Sequence, residues 1–174
     1  MIIMINGAFG SGKTTIANAL VQKIPNAMLF DPEEIGFFLR NMLKSIDPQD
    51  EDFQHYSMWR TLVVETAKLI QETYKKDLVV PMTIWRAPYF EEIKNGFKKI
   101  DPNLYHFCLI ASASTIRERL LARGEQPNSW AERQAENCTT AFESNLFETK
   151  IDTAFKNPDE VLKLIVQDLP SMQL

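Results

Sequence analysis

The chain has 174 residues, 45% hydrophobic and 24% charged, a composition expected of one compact domain spanning 1–174 with a packed core. Lys and Arg number 19 against 23 Asp and Glu, and the net charge of -4 speaks against a protein that works on nucleic acid or anionic lipid, both of which ask for a basic surface. The two cysteines, Cys108 and Cys138, form no Cys-x-x-Cys pair, no apolar run approaches the roughly 18–20 residues of a membrane span, and the first residues lack a basic leader, so a reduced, cytoplasmic setting is expected.

Ile2-Ile3-Met4-Ile5 is an unbroken apolar run, as in a strand buried on both faces of a parallel sheet. It leads into Gly7-Ala8-Phe9-Gly10-Ser11-Gly12-Lys13-Thr14, after which Ile16, Leu20 and Ile24 recur at helical spacing up to Pro25. Ala27–Phe30 reads as a second strand. Asp31 then caps a helix that has Pro32 in its first turn and runs to about Lys44.

A helical region is expected from about Asp50 to Lys76, and a third strand over Leu78–Thr83 with Pro81 an awkward member near its end. Tyr89–Phe97 reads as a short helix and Tyr105–Ile110 as a fourth strand. Thr115–Arg123 is a helix closed by Gly124. Beyond a polar loop, Trp130 to about Phe147 is helical, Lys150–Thr153 a short fifth strand, and Asn157-Pro158-Asp159-Glu160 opens a last helix. Strands alternating with helices predict a parallel sheet covered on both faces.

Gly7-x-x-x-x-Gly12-Lys13-Thr14 satisfies the phosphate-loop pattern between a buried strand and a helix. Glycines let consecutive amides turn toward a polyanion, the helix start adds its positive dipole end, Lys13 brings a mobile charge, and the Thr14 hydroxyl suits Mg²⁺. Gly7, Ala8, Phe9, Gly10, Ser11, Gly12, Lys13, Thr14 and Thr15 are therefore the expected nucleotide-binding residues, for a nucleoside triphosphate with Mg²⁺.

Ligands of a doubly wound sheet gather at the carboxyl ends of its strands. Asp31, at the second of these ends, can take a proton from a hydroxyl or hold Mg²⁺ through water, or serve simply as a cap. Thr83 ends the third strand, which carries no acid for the metal, and Trp85 and Arg86 follow it. Arg119 and Arg123 share a helix face, either solvated or turned to phosphate oxygens; with Arg117 they belong to a segment around 117–140 expected to act as a lid. Arg40 and Arg60, with Tyr56 and Trp59, suit a flat, polar acceptor or the packing of an edge.

Ile5–Thr14, Asp31-Pro32-Glu33, Gly36-Phe37-Phe38-Leu39-Arg40, Asp52-Phe53-Gln54, Trp59-Arg60, Val80-Pro81-Met82-Thr83-Ile84 and Asn128-Ser129-Trp130 resemble the ATP-binding tunicamycin-resistance protein family, and more broadly the small P-loop kinases such as the gluconate, shikimate and chloramphenicol kinases. The resemblance runs from Met1 to about Phe147. It implies an α/β, three-layer fold of nucleoside-kinase type, with a five-stranded parallel sheet of order 2-3-1-4-5. It also implies ATP-dependent phosphotransfer to a small hydroxyl-bearing acceptor such as a nucleoside antibiotic. The resemblance implies ATP with Mg²⁺, Asp31 facing the acceptor, and Arg119 and Arg123 on the ATP phosphates; together with the reading of the residues themselves, Lys13, Asp31 and Arg123 are the catalytic candidates, and Asp31, Arg40, Arg60, Thr83 and Trp85 the expected acceptor-binding residues. A protein that binds ATP and sequesters the drug without phosphorylating it is the alternative; a polynucleotide kinase is disfavoured by the net charge.

Overall fold

Five parallel strands form the centre of the computed structural model, which describes residues 1–46 and 52–170. They are β1 (Ile2–Gly7), β2 (Ala27–Leu29), β3 (Asp77–Met82), β4 (Leu104–Ile110) and β5 (Lys150–Asp152), in the order β2-β3-β1-β4-β5 that the resemblance implies. β1 lies in the middle, with Ile3 opposite Val79 on one side and Tyr105 on the other. The helices are α1 (Lys13–Lys23), α2 (Pro32–Leu43), α3 (Ser57–Tyr74), α4 (Ala87–Ile100), α5 (Ala113–Ala122), α6 (Trp130–Ala141) and α7 (Pro158–Asp168).

Alternate strand residues feed two separate cores, which is why the strands read as continuous apolar runs. Ile3, Ile5, Val79, Phe107 and Leu109 pack with Ile16 and Leu20 of α1 and Val161 and Ile165 of α7. Ile2, Met4, Leu78, Val80 and Cys108 pack with Leu39, Trp59, Val63, Phe90, Phe97 and Ile116 on the other face. His106 belongs to this second face, its ring 4.8 Å from that of Phe90, and burial pushes its pKa down to about 4. Cys108 and Cys138 are buried free thiols, which burial pushes up to about 12.

Pro81 fits inside β3 because β2 is short. Residues 79 and 81 turn their backbone groups to the same side; the Val79 carbonyl accepts from Phe30, and the β2 pairing ends at Leu29 opposite Val79. The missing amide of Pro81 therefore faces a side with no strand to bond.

Two boundaries differ from the sequence reading. Asp50 lies outside the described residues, and the helix expected from it begins only at Ser57. Before it, a 3-10 turn at Phe53–His55 is fixed by the Asp52 carboxylate accepting from Gln54 N. α6 stops at Ala141 instead of continuing to about Phe147. Phe142 and Phe147 are both buried, with rings 4.9 Å apart, and Phe147 also meets Phe90 at 4.7 Å. A chain that folds back on itself brings these rings together, and a straight helix would not.

Candidate functional site

The loop between β1 and α1 sits at the carboxyl end of the central strand. Gly12 precedes α1 at φ 99°, a conformation that only glycine adopts without strain, and a Cβ there would meet nothing within 4 Å, so the demand is conformational and not steric. No side chain caps α1, which leaves its first-turn amides and dipole available to an anion. The Lys13 ammonium donates to the Ala8 carbonyl at 2.9 Å and lies 5.4 Å from the centroid of the Phe9 ring. Burial, reinforced by the charge of Arg123, lowers its pKa to about 8, and the charges of Glu33 and Asp31 act against that fall. Thr14 and Thr15 are exposed at the mouth of α1.

Glu33 was not singled out by the sequence. It stands in the first turn of α2, and its carboxyl is held above the usual range by burial, with the opposing pull of Lys13 next in size. Asp31 caps the same helix, accepting from Glu33 N at 2.9 Å, as the Asp-Pro pair predicts. On a helix start, an acid at the position of Glu33 looks like an ordinary dipole partner; only the tertiary placement opposite Lys13 marks it.

These residues fit a nucleotide triphosphate with Mg²⁺. Ser11 Oγ is buried and has no protein partner, the α1 amides are uncapped, and the hydroxyl of Thr14 with the carboxylates of α2 are hard oxygen donors of the kind Mg²⁺ takes. Among the described residues no cluster of three or more His, Cys, Asp or Glu could hold a metal by itself, so phosphate and water oxygens would complete the shell.

Beside the loop, a cavity of about 370 Å³ is lined by Gly10, Gly12, Thr15, Arg119, Arg123 and Lys156, among others. Arg119 is engaged there: Nη1 and Nη2 donate to Thr153 Oγ1 and O at 3.0 and 2.6 Å. Thr153 Oγ1 in turn lies 3.4 Å from the Ser11 carbonyl, so Arg119 braces the loop from behind. Arg123, at the exposed end of α5, lies at the cavity edge. Over the 117–140 segment, Arg117 pairs with Glu132 at 2.8 Å, joining α5 to α6, and Trp130 packs edge-on against Phe9 with centroids 5.2 Å apart.

On the other side of β1, Asn6 ties the loop to the segment after β3. It is fully buried; its Nδ2 donates to Ile84 O at 2.9 Å, and its Oδ1 accepts from Gly7 N at 2.8 Å and from Ile84 N at 3.0 Å. Thr83 is buried, and its carbonyl accepts from Gln54 Nε2 at 2.7 Å. Trp85 is half-buried with the Arg86 guanidinium 4.4 Å over its ring. Arg60 is engaged with its own neighbourhood: Nε meets Glu92 at 2.5 Å, Nη1 donates to Gln54 O at 2.6 Å and His55 O at 3.2 Å, and the guanidinium lies 4.2 Å from the Tyr89 ring. Arg40 lies 5.2 Å from the ring of Phe53 and 5.7 Å from that of Phe37. The candidate site thus draws on Lys13, which feels the charges of Asp31 and Arg123, and on Thr83 just after β3, the strand that lies between β2 and β1. Arg60 and Arg119 stand behind the site, holding the turn at Gln54 and the loop at Ser11. Asn6 and Gln54 stand in stretches that carry the resemblance but drew no role from the sequence, because their partners lie 78 and 29 residues away.

The structure of the Deinococcus radiodurans tunicamycin resistance protein superposes with a TM-score of 0.80 at 29% identity, over 97% of this chain and 96% of that one. A gluconokinase from Sinorhizobium meliloti 1021 superposes at 0.64 with 18% identity over 92% and 86% of the two chains. Shikimate kinase from Acinetobacter baumannii, in complex with shikimate, does so at 0.64 with 14% identity over 95% and 90%. The last two likenesses are of fold, the kinase-like P-loop fold built here around Gly7–Thr14. No curated protein matches the chain. The family described as an AAA domain matches residues 2–144, the stretch that carries the loop, both acids of α2, Thr83 and the arginines of α5, and the chain belongs to that family.

Proposed function

We propose that this chain is an ATP-dependent phosphotransferase that uses Mg²⁺ and a hydroxyl of a small molecule as acceptor, a nucleoside antibiotic such as tunicamycin being the first acceptor to try. The observation that carries the reading is the phosphate loop at the end of β1, with the helix start of α1 uncapped and the Lys13 ammonium buried beside it, while Asp31 and Glu33 at the start of α2 are the carboxylates whose charge acts on that ammonium. A nucleotide-binding cation and a proton acceptor across one cleft are what transfer to a hydroxyl requires. The likeness to the tunicamycin resistance protein supports the acceptor class.

Bound Mg·ATP supplies the phosphoryl group and the charge that the protein must balance. Lys13 and the α1 amides hold the phosphates, and the Thr14 hydroxyl is the protein's oxygen donor to Mg²⁺. As the acceptor oxygen bonds to the γ-phosphorus and the bond to the bridging oxygen breaks, Asp31 or Glu33 takes the hydroxyl proton; burial holds the carboxyl of Glu33 above its usual range. Arg123 adds positive charge at the rim, and the 117–140 segment closes over the nucleotide and excludes water. Thr83 and Trp85 contact the acceptor, and Arg40 and Arg60 hold the aromatic and turn residues around it. The protein works in the cytoplasm.

The test is an ADP-release assay with Mg·ATP and tunicamycin, extended to other nucleosides and sugars, with mass spectrometry of the acceptor. A phosphorylated product is expected. Tight nucleotide binding with no product from any acceptor sinks the reading, and drug binding that survives Asp31→Asn without turnover favours sequestration.

A further inference from the structure

Resting on the acceptor side of that reading, the carboxyl end of β3 and the turn packed on it carry two buried polar atoms that the fold does not use. Thr83 is 3% exposed and Gln54 8%, yet among the described residues neither Thr83 Oγ1 nor Gln54 Oε1 has a hydrogen-bond partner. The rest of Gln54 is held. Its N donates to the Asp52 carboxylate at 3.1 Å, its carbonyl accepts from Arg60 at 2.6 Å, and its Nε2 donates to Thr83 O at 2.7 Å. That last bond fixes the amide orientation, since a flipped amide would set two oxygens against each other, so the unmatched atom is an oxygen that only accepts. Buried groups without partners are few in native proteins and call for a reason.

Their position supplies one. In the order β2-β3-β1, the end of β3 lies between the end of β2, where Asp31 stands, and the end of β1, where the phosphate loop begins. The turn bearing Gln54 is pressed against α2: a Cβ on Gly36 would come within 2.5 Å of the Phe53 ring, and Trp59 Nε1 donates to Pro32 O at 2.9 Å. We infer that Gln54 and Thr83 are the specificity element of the acceptor site and take an uncharged hydrogen-bonding edge of the acceptor. An O–H or amide N–H meets Gln54 Oε1, and a hydroxyl or carbonyl meets Thr83 Oγ1. The acceptor is therefore polyhydroxylated or amide-bearing at this edge. A carboxylate or phosphate here would face a lone-pair oxygen, and Arg60, the nearest cation to the turn, is already matched by Glu92. Any anionic group of the acceptor falls toward Arg86, whose Nε is also without a partner.

Thr83→Val keeps the side-chain shape and removes the hydroxyl. If that hydroxyl is held for a ligand, the ligand-free variant melts roughly 2–4 °C higher than the parent. A lower melting temperature means that the hydroxyl serves the fold, and overturns the inference. In a second experiment, D-glucitol, uridine and N-acetyl-D-glucosamine are set against D-gluconate, shikimate and UMP. Thermal shifts are read with Mg²⁺ and a non-hydrolysable ATP analogue. At least one uncharged probe is expected to raise the melting temperature. Thr83→Val should weaken its apparent affinity about tenfold or more, and Thr83→Ser should retain it. Shifts from the charged probes alone, or no loss in Thr83→Val, overturn the inference; if no probe produces a shift, the ligand-free melting comparison decides it. A probe that binds through Thr83 but releases no ADP counts against phosphotransfer and leaves the pair standing.

Discussion

On the proposed donor side one uninterrupted run, residues 7–14, supplies nearly every group that would meet a phosphate, and it does so with backbone amides, two hydroxyls and one ammonium. On the acceptor side three segments far apart in sequence converge: the start of α2 with Asp31 and Glu33, the turn with Gln54, and the end of β3 with Thr83. The donor side binds a group common to many reactions, so a local and repeatable device suffices. On the proposed reading the acceptor side must distinguish one molecule from another, and it would do so with side chains whose neighbours are set by tertiary packing.

Removing the one cation within that run, Lys13, is the largest test of this division. Lys13→Met is expected to lower kcat/KM by about 10³-fold or more, whichever acceptor is used, because the phosphates lose their mobile counter-charge. The same variant should melt higher than the parent at pH 7. The folded protein holds Lys13 at about 8 against an ordinary 10.5, so between those values the unfolded chain binds more protons and stability rises with pH; below pH 8 the full penalty of the buried charge applies. Activity lost together with stability would contradict the assignment of that charge to phosphate.

The acids of the acceptor side come next. Glu33→Gln is expected to reduce kcat by about 10²- to 10⁴-fold with KM for ATP little changed, since a general base acts in the chemical step. Asp31→Asn keeps an oxygen to cap α2, so its melting temperature should hold. The carboxylate whose loss lowers kcat more is the base. If neither reduces kcat, the proton leaves by another route and the cleft is not built for transfer.

The sequence made the donor side legible because the pattern is contiguous and its context, a buried strand before and a helix after, can be read from local periodicity. The cap at Asp31 was legible for the same reason. Sheet order came from resemblance alone, as strand pairing is a long-range property. Glu33 could not be told from the many acids that favour a helix start. Arg60 and Arg119 looked like ligand-facing cations, because a sequence does not show that Glu92 and Thr153 stand beside them. The end of α6 was overrun because Phe142 and Phe147 continue an apolar pattern, while the packing of Phe147 on Phe90 that bends the chain is tertiary.

Asn6 joins the two sides, and breaking it sharpens the comparison. Asn6→Ala leaves Gly7 N and both backbone groups of Ile84 buried without that partner, at about 1–3 kcal/mol each, so a clear drop in melting temperature is expected by calorimetry. If the tie also sets the spacing between cradle and acceptor floor, kcat for transfer should fall about tenfold or more beyond any change in nucleotide affinity measured at a temperature where the variant is folded. Equal losses in both would make Asn6 a fold residue only.

The smallest effect is one of pH, and it separates the donor side from the acceptor side without changing a residue. With the Lys13 ammonium titrating near 8 in the free protein, affinity for a non-hydrolysable ATP analogue should be flat below pH 8 and weaken by about tenfold per unit above it. The charge of Arg123 helps to depress Lys13, so Arg123→Ala should move the break upward while lowering affinity on the flat part. The acceptor floor has no group that titrates in this window, since Thr83 and the amide of Gln54 carry no ionisable proton there, and binding of an uncharged probe to the nucleotide-loaded protein should be level across the same range. Titration calorimetry of both ligands from pH 7 to about 9.5 checks the pair of profiles. A break shared by analogue and probe would mean that Lys13 reaches into the acceptor side, and that the cleft is one electrostatic unit and not two.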